Sequence, residues 1–224
     1  MRDLLLCFAT CCICAAQSIS IGGIGGGRLT DDVQSSHTPE SNVVAGVPVF
    51  QLQSRFYEIG PTLEIGLPHG FSLEADAIYH RQGFFYTFYH DTQYFTHGER
   101  DNTWEFPVLL KYKLPFPAIQ PFVEAGVSPR TMHGQSNGTL QFDVVTLGAP
   151  SLTSFPADYS PTVGFVAGGG VRFNIGHLRI SPQLRYTRWF TTPISGMDGN
   201  IVGGTFASNL NQVDVLVGIG WRLR

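Results

Sequence analysis

Apolar and polar residues alternate with a period of two over much of the chain. From Tyr57 to Leu67 every odd-numbered residue is apolar, whereas the even-numbered residues include Glu58 and Glu64. Because successive side chains of a β-strand point to opposite faces of its sheet, this alternation predicts strands with one apolar and one polar face. The pattern recurs in residues 57–67, 71–80, 104–114, 121–130, 162–173, 177–187 and 212–223.

The predicted strands are joined in turn by short and by long connections. Short turns are predicted at 68–70, 115–120 and 174–176, and long segments at about 30–55, 82–102, 131–160 and 188–211. Antiparallel strands joined in this way form an up-and-down sheet, which closes into a barrel with an even number of strands. The eighth strand is predicted at Ser18–Leu29, where glycines are frequent and the apolar residues do not keep one phase: Ile19, Ile21, Ile24 and Leu29. The predicted fold class is therefore all-β, a single antiparallel barrel of eight strands.

The two faces of the seven clear strands differ in charge. Although 14% of the chain is charged, the apolar face contains no charged residue and no Ser, Thr, Asn, Gln or His. The other face carries equal numbers of acidic and basic residues, as an enclosed interior requires because unpaired buried charge is costly. An apolar exterior around a polar interior is the pattern of a transmembrane barrel. A charge network is therefore predicted in the lumen: Glu58, Glu64, Glu74, Asp76, Glu105, Lys111, Lys113, Glu124, Arg130, Arg172, Arg179, Arg185, Asp214 and Arg222.

Aromatic residues cluster at both ends of the apolar face. If alternate strands run in opposite directions, one group falls at the rim with the long segments and the other at the rim with the short turns. Such rings are expected where amphipathic side chains lie between lipid headgroups and hydrocarbon. The predicted girdles are Tyr57, Tyr79, Trp104 and Tyr186 at the first rim, and Phe71, Tyr112, Phe173 and Trp221 at the second.

Two strand sequences resemble motifs of a known family. Residues 104–112, WEFPVLLKY, look like its fourth strand, and residues 121–126, PFVEAG, look like its fifth. The family is that of small eight-stranded outer-membrane barrels, which includes the OmpA transmembrane domain and OmpX. The resemblance implies a location in the bacterial outer membrane, with periplasmic termini and contact with membrane lipid and the outer-membrane assembly machinery. Such proteins usually end on an aromatic residue that this machinery reads, whereas this chain ends WRLR, so Trp221 is expected to take that part.

The first sixteen residues differ from the rest of the chain. Arg2 precedes an apolar run that begins at Leu4, and Cys14, Ala15 and Ala16 supply the small residues of a cleavage site. These features predict a signal peptide at 1–16, followed by an outer-membrane β-barrel domain at 17–224. Lipidation of Cys11 or Cys12 is the alternative. All 4 cysteines lie in this segment, so the mature chain is expected to have neither a disulfide nor a cysteine metal site.

The charge balance excludes one class of partner. The formal net charge of -3 and the absence of a basic stretch argue against nucleic-acid binding, which needs clustered cations to displace counterions from phosphates. Glycines 22, 23, 25, 26 and 27 do not have the spacing of a dinucleotide-binding loop. The histidines at 80, 90 and 97 with nearby acids match no helix-borne metal site. No catalytic residue, metal or cofactor is predicted.

The second long segment is unusually aromatic. Such a density of rings is expected either to contact extracellular partners or to extend a hairpin above the membrane and thicken the girdle. The candidate contact surface consists of Phe84, Phe85, Tyr86, Phe88, Tyr89, Tyr94 and Phe95.

Several functions remain compatible with this pattern. The favoured hypothesis is a non-enzymatic outer-membrane protein with a structural role in the envelope and surface interactions through its long loops. A small pore or a secretion-accessory barrel is the alternative. A lipid-modifying enzyme is less favoured because the outward positions offer no nucleophile or base. A soluble calycin-like carrier would require the apolar face to point inward.

Overall fold

The computed structural model describes residues 18–35, 43–44, 47–48, 50–90, 93–116, 119–142, 151–192 and 206–223. Within these residues no helix is long and apolar enough to cross a membrane. The signal peptide predicted at 1–16 lies outside the described residues.

Eight antiparallel strands form a closed barrel. In chain order they are β1 (Ser18–Arg28), β2 (Tyr57–Gly66), β3 (Phe71–Asp76, resuming as Ile78–His90), β4 (Gln93–Glu105, resuming as Val108–Lys113), β5 (Ile119–Phe142), β6 (Thr162–Ile175), β7 (Leu178–Trp189) and β8 (Asn211–Arg222). The breaks in β3 and β4 occur where Ala77 faces Pro61 and Asp76 faces Pro107. Proline has no N–H to give to the ladder, so regular pairing lapses there.

Each strand pairs with its neighbours in sequence, and β1 closes the barrel. Ile21 of β1 lies opposite Leu63 of β2 on one side and opposite Trp221 of β8 on the other. The predicted up-and-down barrel with Ser18–Leu29 as its remaining strand is therefore confirmed. A 3-10 turn at Pro68–Gly70 joins β2 to β3, and His69 and Gly70 there have φ angles of 61° and 84°.

At the rim with the long connections, the wall formed by β3, β4 and β5 extends further than the rest of the barrel. The paired strands β3 and β4 continue to His90 and Gln93, and β5 continues beside β4 to Phe142. Two further strands, Phe50–Leu52 and Ser151–Asp158, add to the outer edges of β3 and β5. The shorter pairs Val33–Ser35 with Phe206–Ser208 and Val43–Val44 with Val47–Pro48 lie in the connections.

The long segment predicted at 131–160 is therefore largely strand in its described part, which corrects the expectation of a loop, whereas 82–102 extends β3 and β4 as a hairpin, one of the two alternatives given for it. Beyond the apolar belt both faces of a strand meet water or polar groups. The apolar and polar alternation that identifies the membrane-crossing strands is lost there, and only the pairing shows that the strands continue.

The apolar face points outward along the whole wall. Leu110 and Val123 are 50% and 63% exposed, whereas Lys111 and Glu124, their neighbours in sequence, are buried in the interior. The sequence leaves the face of Ile24 open, because the apolar residues of β1 do not keep one phase; in the structure Ile24 is only 3% exposed and packs inside against Ile78 and Leu216. Glycines at the outward positions of β1 hid the alternation that would have revealed this.

Candidate functional site

The barrel interior near the long-loop rim is organised around Arg28, which the sequence analysis did not select. Its guanidinium contacts four carboxylates at 2.6 to 3.0 Å: Asp32, Glu58, Glu105 and Asp214. His80 completes this group, with its Nε2 atom 3.1 Å from one Arg28 nitrogen. We call these six residues the Arg28 cluster. Arg28 and Asp32 were missed because Arg28 ends the glycine-rich strand and Asp32 lies in the connection that follows. A spacing of four residues does not indicate a contact in a strand, as it would in a helix.

A second group of charges fills the middle of the lumen. Arg185 donates to Glu74, Asp76 and Glu124 at 2.7 to 2.8 Å. Lys111 lies 2.6 Å from Glu74 and 3.0 Å from Glu124, and its ammonium stands over the ring of Phe122. These residues come from β3, β4, β5 and β7, so the contacts tie opposite walls together.

The third group lies near the short-turn rim, around Glu64. Arg172 bonds both oxygens of this carboxylate, Lys113 lies 3.1 Å from it and Arg179 lies 3.8 Å from it. The structure thus brings thirteen of the predicted lumen charges into these clusters or beside them. The remaining one, Arg130, stacks over Trp189 at 3.8 Å and donates to Thr162.

Charge is unevenly distributed along the barrel axis. In the Arg28 cluster four carboxylates surround one guanidinium, whereas at the short-turn rim Glu64 is the carboxylate bonded by Arg172 and Lys113, with Arg179 and Arg222 close by. The equal count of acids and bases predicted from the sequence does not describe either end of the lumen, and the buried Arg28, Asp32, Glu99 and Asp101 bring the described interior to ten acids and eight bases.

Apolar and polar side chains together leave little free space in the lumen. Leu109, Phe122, Val166 and Leu216 are buried inside the wall alongside the ion pairs. The cavity between the middle group and Glu64 has a volume of about 30 Å³, close to the space of one water molecule. Among the described residues, packing of this kind fills much of the central section of the barrel.

The outer wall carries aromatic contacts at both rims. At the long-loop rim the rings of Tyr79 and Trp104 are 5.3 Å apart, and at the short-turn rim those of Phe71 and Tyr112 are 5.0 Å apart. The structure places the predicted girdle residues on the outer face, where each is exposed or half-buried: Tyr57, Tyr79, Trp104, Tyr186, Phe71, Tyr112, Phe173 and Trp221.

The aromatic hairpin is only partly covered by the structure. Phe84 points into the barrel and is 2% exposed, so it is not part of an exposed contact surface; strand parity turns it inward with His80 and Gln82. Phe85 faces outward and is half-buried. The backbone of the remaining positions lies in β3 and β4, but their side chains lie outside the described part: Tyr86, Phe88, Tyr89, Tyr94 and Phe95.

A basic patch lies on the outer face just beyond the Tyr79–Trp104 pair. Arg55, Arg81 and Arg100 are exposed there and border a cavity of about 300 Å³. Arg81 and Arg100 also border a second cavity, of about 440 Å³, with Asn102 and His133. We call these three arginines the outer basic patch.

Metal chemistry finds no support in the described ranges. No group of three or more His, Cys, Asp or Glu residues there has the arrangement of a metal site. The carboxylates of the Arg28 cluster face a guanidinium, and a cation in their midst would have to displace it.

The apolar wall, its two aromatic girdles and the ion-paired interior define the architecture of a small transmembrane β-barrel. No protein-family model matches the chain, and no curated protein matches its sequence.

Solved outer-membrane barrels have a similar architecture at low sequence identity. Neisserial surface protein A matches with 9% identity and a TM-score of 0.43, covering 91% of this chain and 96% of that one. The N-terminal β-barrel domain of Pseudomonas aeruginosa OprF matches with 10% identity and a TM-score of 0.41, covering 93% and 98%. Ail, the attachment invasion locus protein of Yersinia pestis, matches with 12% identity and a TM-score of 0.41, covering 92% and 97%. Function has to be inferred from the chain's own residues.

Proposed function

We propose that the chain is an integral protein of the bacterial outer membrane with a non-enzymatic, structural role in the envelope. The observation that carries this proposal is the uncharged outer face between the two aromatic girdles, where side chains such as Leu110 and Val123 are at least half exposed. Water would not stabilise such a surface, whereas hydrocarbon would. A soluble carrier would instead turn these side chains inward.

Refolding into lipid vesicles tests the proposal. The purified chain should enter vesicles without a helper, migrate faster on gels when unheated, and be protected from protease across the strands. A chain that stays in the aqueous phase and folds there without detergent would contradict it.

The proposed orientation has the short turns and both termini in the periplasm. Residues 1–16 would direct export, and the assembly machinery would then insert the barrel, with Trp221 near its end as the aromatic signal. The mass of the protein isolated from outer membranes tests the first step, since cleavage after Ala16 leaves Gln17 as the first residue. A protease site placed in the 174–176 turn should be cut only from the periplasmic side.

A structural plug is favoured over a pore because the middle of the lumen is filled. Ion pairs from four strands and the water-sized cavity beside Glu64 support a plugged lumen in the part of the chain that the structure describes. In planar bilayers the refolded protein should give no conductance steps. Regular conductance steps, seen with the parent and again when Arg185 is replaced by a smaller residue, would favour the alternative of a small pore.

A second function is favoured by the outer basic patch. Its three arginines stand at the level where lipid headgroups meet the barrel, and guanidinium groups bind phosphate oxygens in pairs. Contact with phosphate-bearing lipids of the outer leaflet would anchor the tall side of the barrel. Barrels purified from outer membranes should retain less of this lipid when Arg81 and Arg100 are replaced by Gln than when Arg188 is replaced by Gln. Equal retention would remove this function.

Contact with extracellular partners through the aromatic hairpin stays a prediction. Replacing Tyr89 and Tyr94 by Ser, with Tyr186 to Ser as the control on the barrel wall, would test it in an adhesion or agglutination assay.

A further inference from the structure

Positive charge accumulates at the short-turn rim of the barrel. Lys113, Arg172 and Arg179 all approach Glu64, and Arg222 acts electrostatically on Arg179 from the neighbouring strand β8. Among the described residues Glu64 is the carboxylate that Lys113, Arg172 and Arg179 approach, so these cations, with Arg222 beside Arg179, leave an excess of positive charge. Such an excess in a half-buried place destabilises the barrel unless something neutralises it.

The hydrogen-bonding capacity of this rim is also incompletely used. Arg172 donates to both oxygens of Glu64, and Lys113 donates to one of them as well, so the acceptors of this carboxylate are already used. The Nε atoms of Arg179 and Arg222 are buried and have no acceptor among the described residues. Buried donors without acceptors are rare in folded proteins, because each costs the free energy of its lost hydration.

A cavity lies where these donors converge. It has a volume of about 380 Å³ and is lined by residues of β4, β6, β7 and β8, among them the four cations. Lys113, Arg172, Arg179 and Arg222 supply the charged part of its lining, and Ser18 and Gln120 supply neutral hydrogen-bonding groups. Phe71 and Leu114 extend the lining to the apolar outer wall.

We propose that this cavity binds a phosphate group. A multiply charged tetrahedral anion can neutralise several cations at once, and the fork of a guanidinium matches two phosphate oxygens. Phosphate could reach the cavity from water, on a soluble periplasmic compound, or from the side lined by Phe71 and Leu114, as a headgroup of an inner-leaflet lipid. Both sources have the same chemistry at the binding atoms.

Direct binding measurements separate the sources. The refolded barrel in a maltoside detergent is dialysed against radiolabelled inorganic phosphate, with chloride keeping the ionic strength constant. In parallel, barrels in phosphatidylcholine vesicles with and without phosphatidylglycerol are heated to find the midpoint of unfolding. We expect one phosphate per barrel if the source is soluble, or a higher midpoint with phosphatidylglycerol if the source is lipid.

Variants decide whether the binding belongs to this cavity. Arg222→Gln and Lys113→Gln each remove one lining cation and should weaken binding at least about tenfold, since each removes a hydrogen bond between charged groups. Arg188→Gln removes the same charge at the opposite rim and should bind as the parent does. Unheated gel migration shows that each variant is folded. If neither probe binds, or if all three variants and the parent behave alike, the proposal is wrong.

Discussion

The Nε atom of Arg28 lies 3.0 Å from Oδ1 of Asp214, across the seam where the first strand of the barrel meets the last. The two residues are direct partners in the β1–β8 ladder, so the ion pair adds to the backbone hydrogen bonds that close the sheet. The same guanidinium reaches Glu58 on β2 and Glu105 on β4. One side chain therefore connects the closing seam to the facing wall.

Replacing Arg28 by Met should destabilise the barrel strongly. Four buried carboxylates would lose their central cation, and loss of one partner from a buried ion pair costs about 3–5 kcal/mol. Urea unfolding in lipid vesicles measures the difference. Arg188→Met is the matched control, because Arg188 is exposed at the same rim and bonds Asn211 on the outside. A variant as stable as this control would show that the Arg28 cluster does not hold the seam.

Two glycines of the same strand should respond differently to a methyl group. A Cβ at Gly26, which faces inward, would overlap the carbonyl oxygen of Val215, whereas a Cβ at Gly23 would have its nearest neighbour at 3.6 Å, the carbonyl oxygen of Gly60. Gly26→Ala should therefore cost about 1–3 kcal/mol of stability, as overpacking does. Gly23→Ala should leave stability close to that of the parent. Equal stability of the two variants in thermal unfolding would contradict the close approach of β1 and β8.

The wall of the barrel could be predicted from the sequence because its signal is local. Alternation in a segment such as 57–67 reports which side chain faces lipid, whatever strand lies beside it. The centre of the lumen could be predicted only as a set of inward charges. That Arg185 bonds Asp76 depends on how far β7 is from β3 across the barrel, and no local pattern carries that distance.

Two errors and one open assignment share a physical cause. The sequence does not fix the face of Ile24, it does not select Arg28, and it predicts Phe84 on an exposed surface. In each case the neighbouring positions are not alternately apolar and polar: glycines replace the outward side chains of β1, and β3 leaves the hydrocarbon near Tyr79. Where the outward side chains do not contact lipid, the sequence does not show which residues of a strand face outward. That has to be determined from the pairing of the strands.

A charge introduced at the middle of the outer wall should block insertion. Leu110→Arg or Val108→Arg places a guanidinium on the apolar face, and an Arg near the bilayer midplane costs about 2–4 kcal/mol. The fraction that enters vesicles and migrates fast on unheated gels should fall in both. Gln135→Arg is the control, since Gln135 faces outward and exposed beyond the Trp104 ring. If the three variants insert as well as the parent, the outer face is not in contact with lipid.

Asp101 should make stability depend on pH at the tall end of the barrel. It lies beyond the Trp104 ring, outside the membrane-spanning part of β4, and its side chain is buried beside Glu99 and Gln82. Burial, and then the charge of Glu99, raise the pKa of Asp101 to about 7 from an ordinary value of 3.8. The folded state therefore holds a proton that the unfolded chain releases. The contribution of the protonated Asp101 to stability is fully present below about pH 4 and is lost as the pH rises through about 7.

Asp101→Asn keeps the shape and removes the charge. The variant should be more stable than the parent at pH 8, and the difference should shrink steadily as the pH falls toward 4. Asp31→Asn, at an exposed position on the same rim, is the control. Urea midpoints of the three proteins between pH 4 and 8 measure the effect. A difference between parent and Asp101→Asn that stays constant would mean that folding does not raise the pKa of Asp101, and one that grows toward acid pH would mean that its partners stabilise the charge.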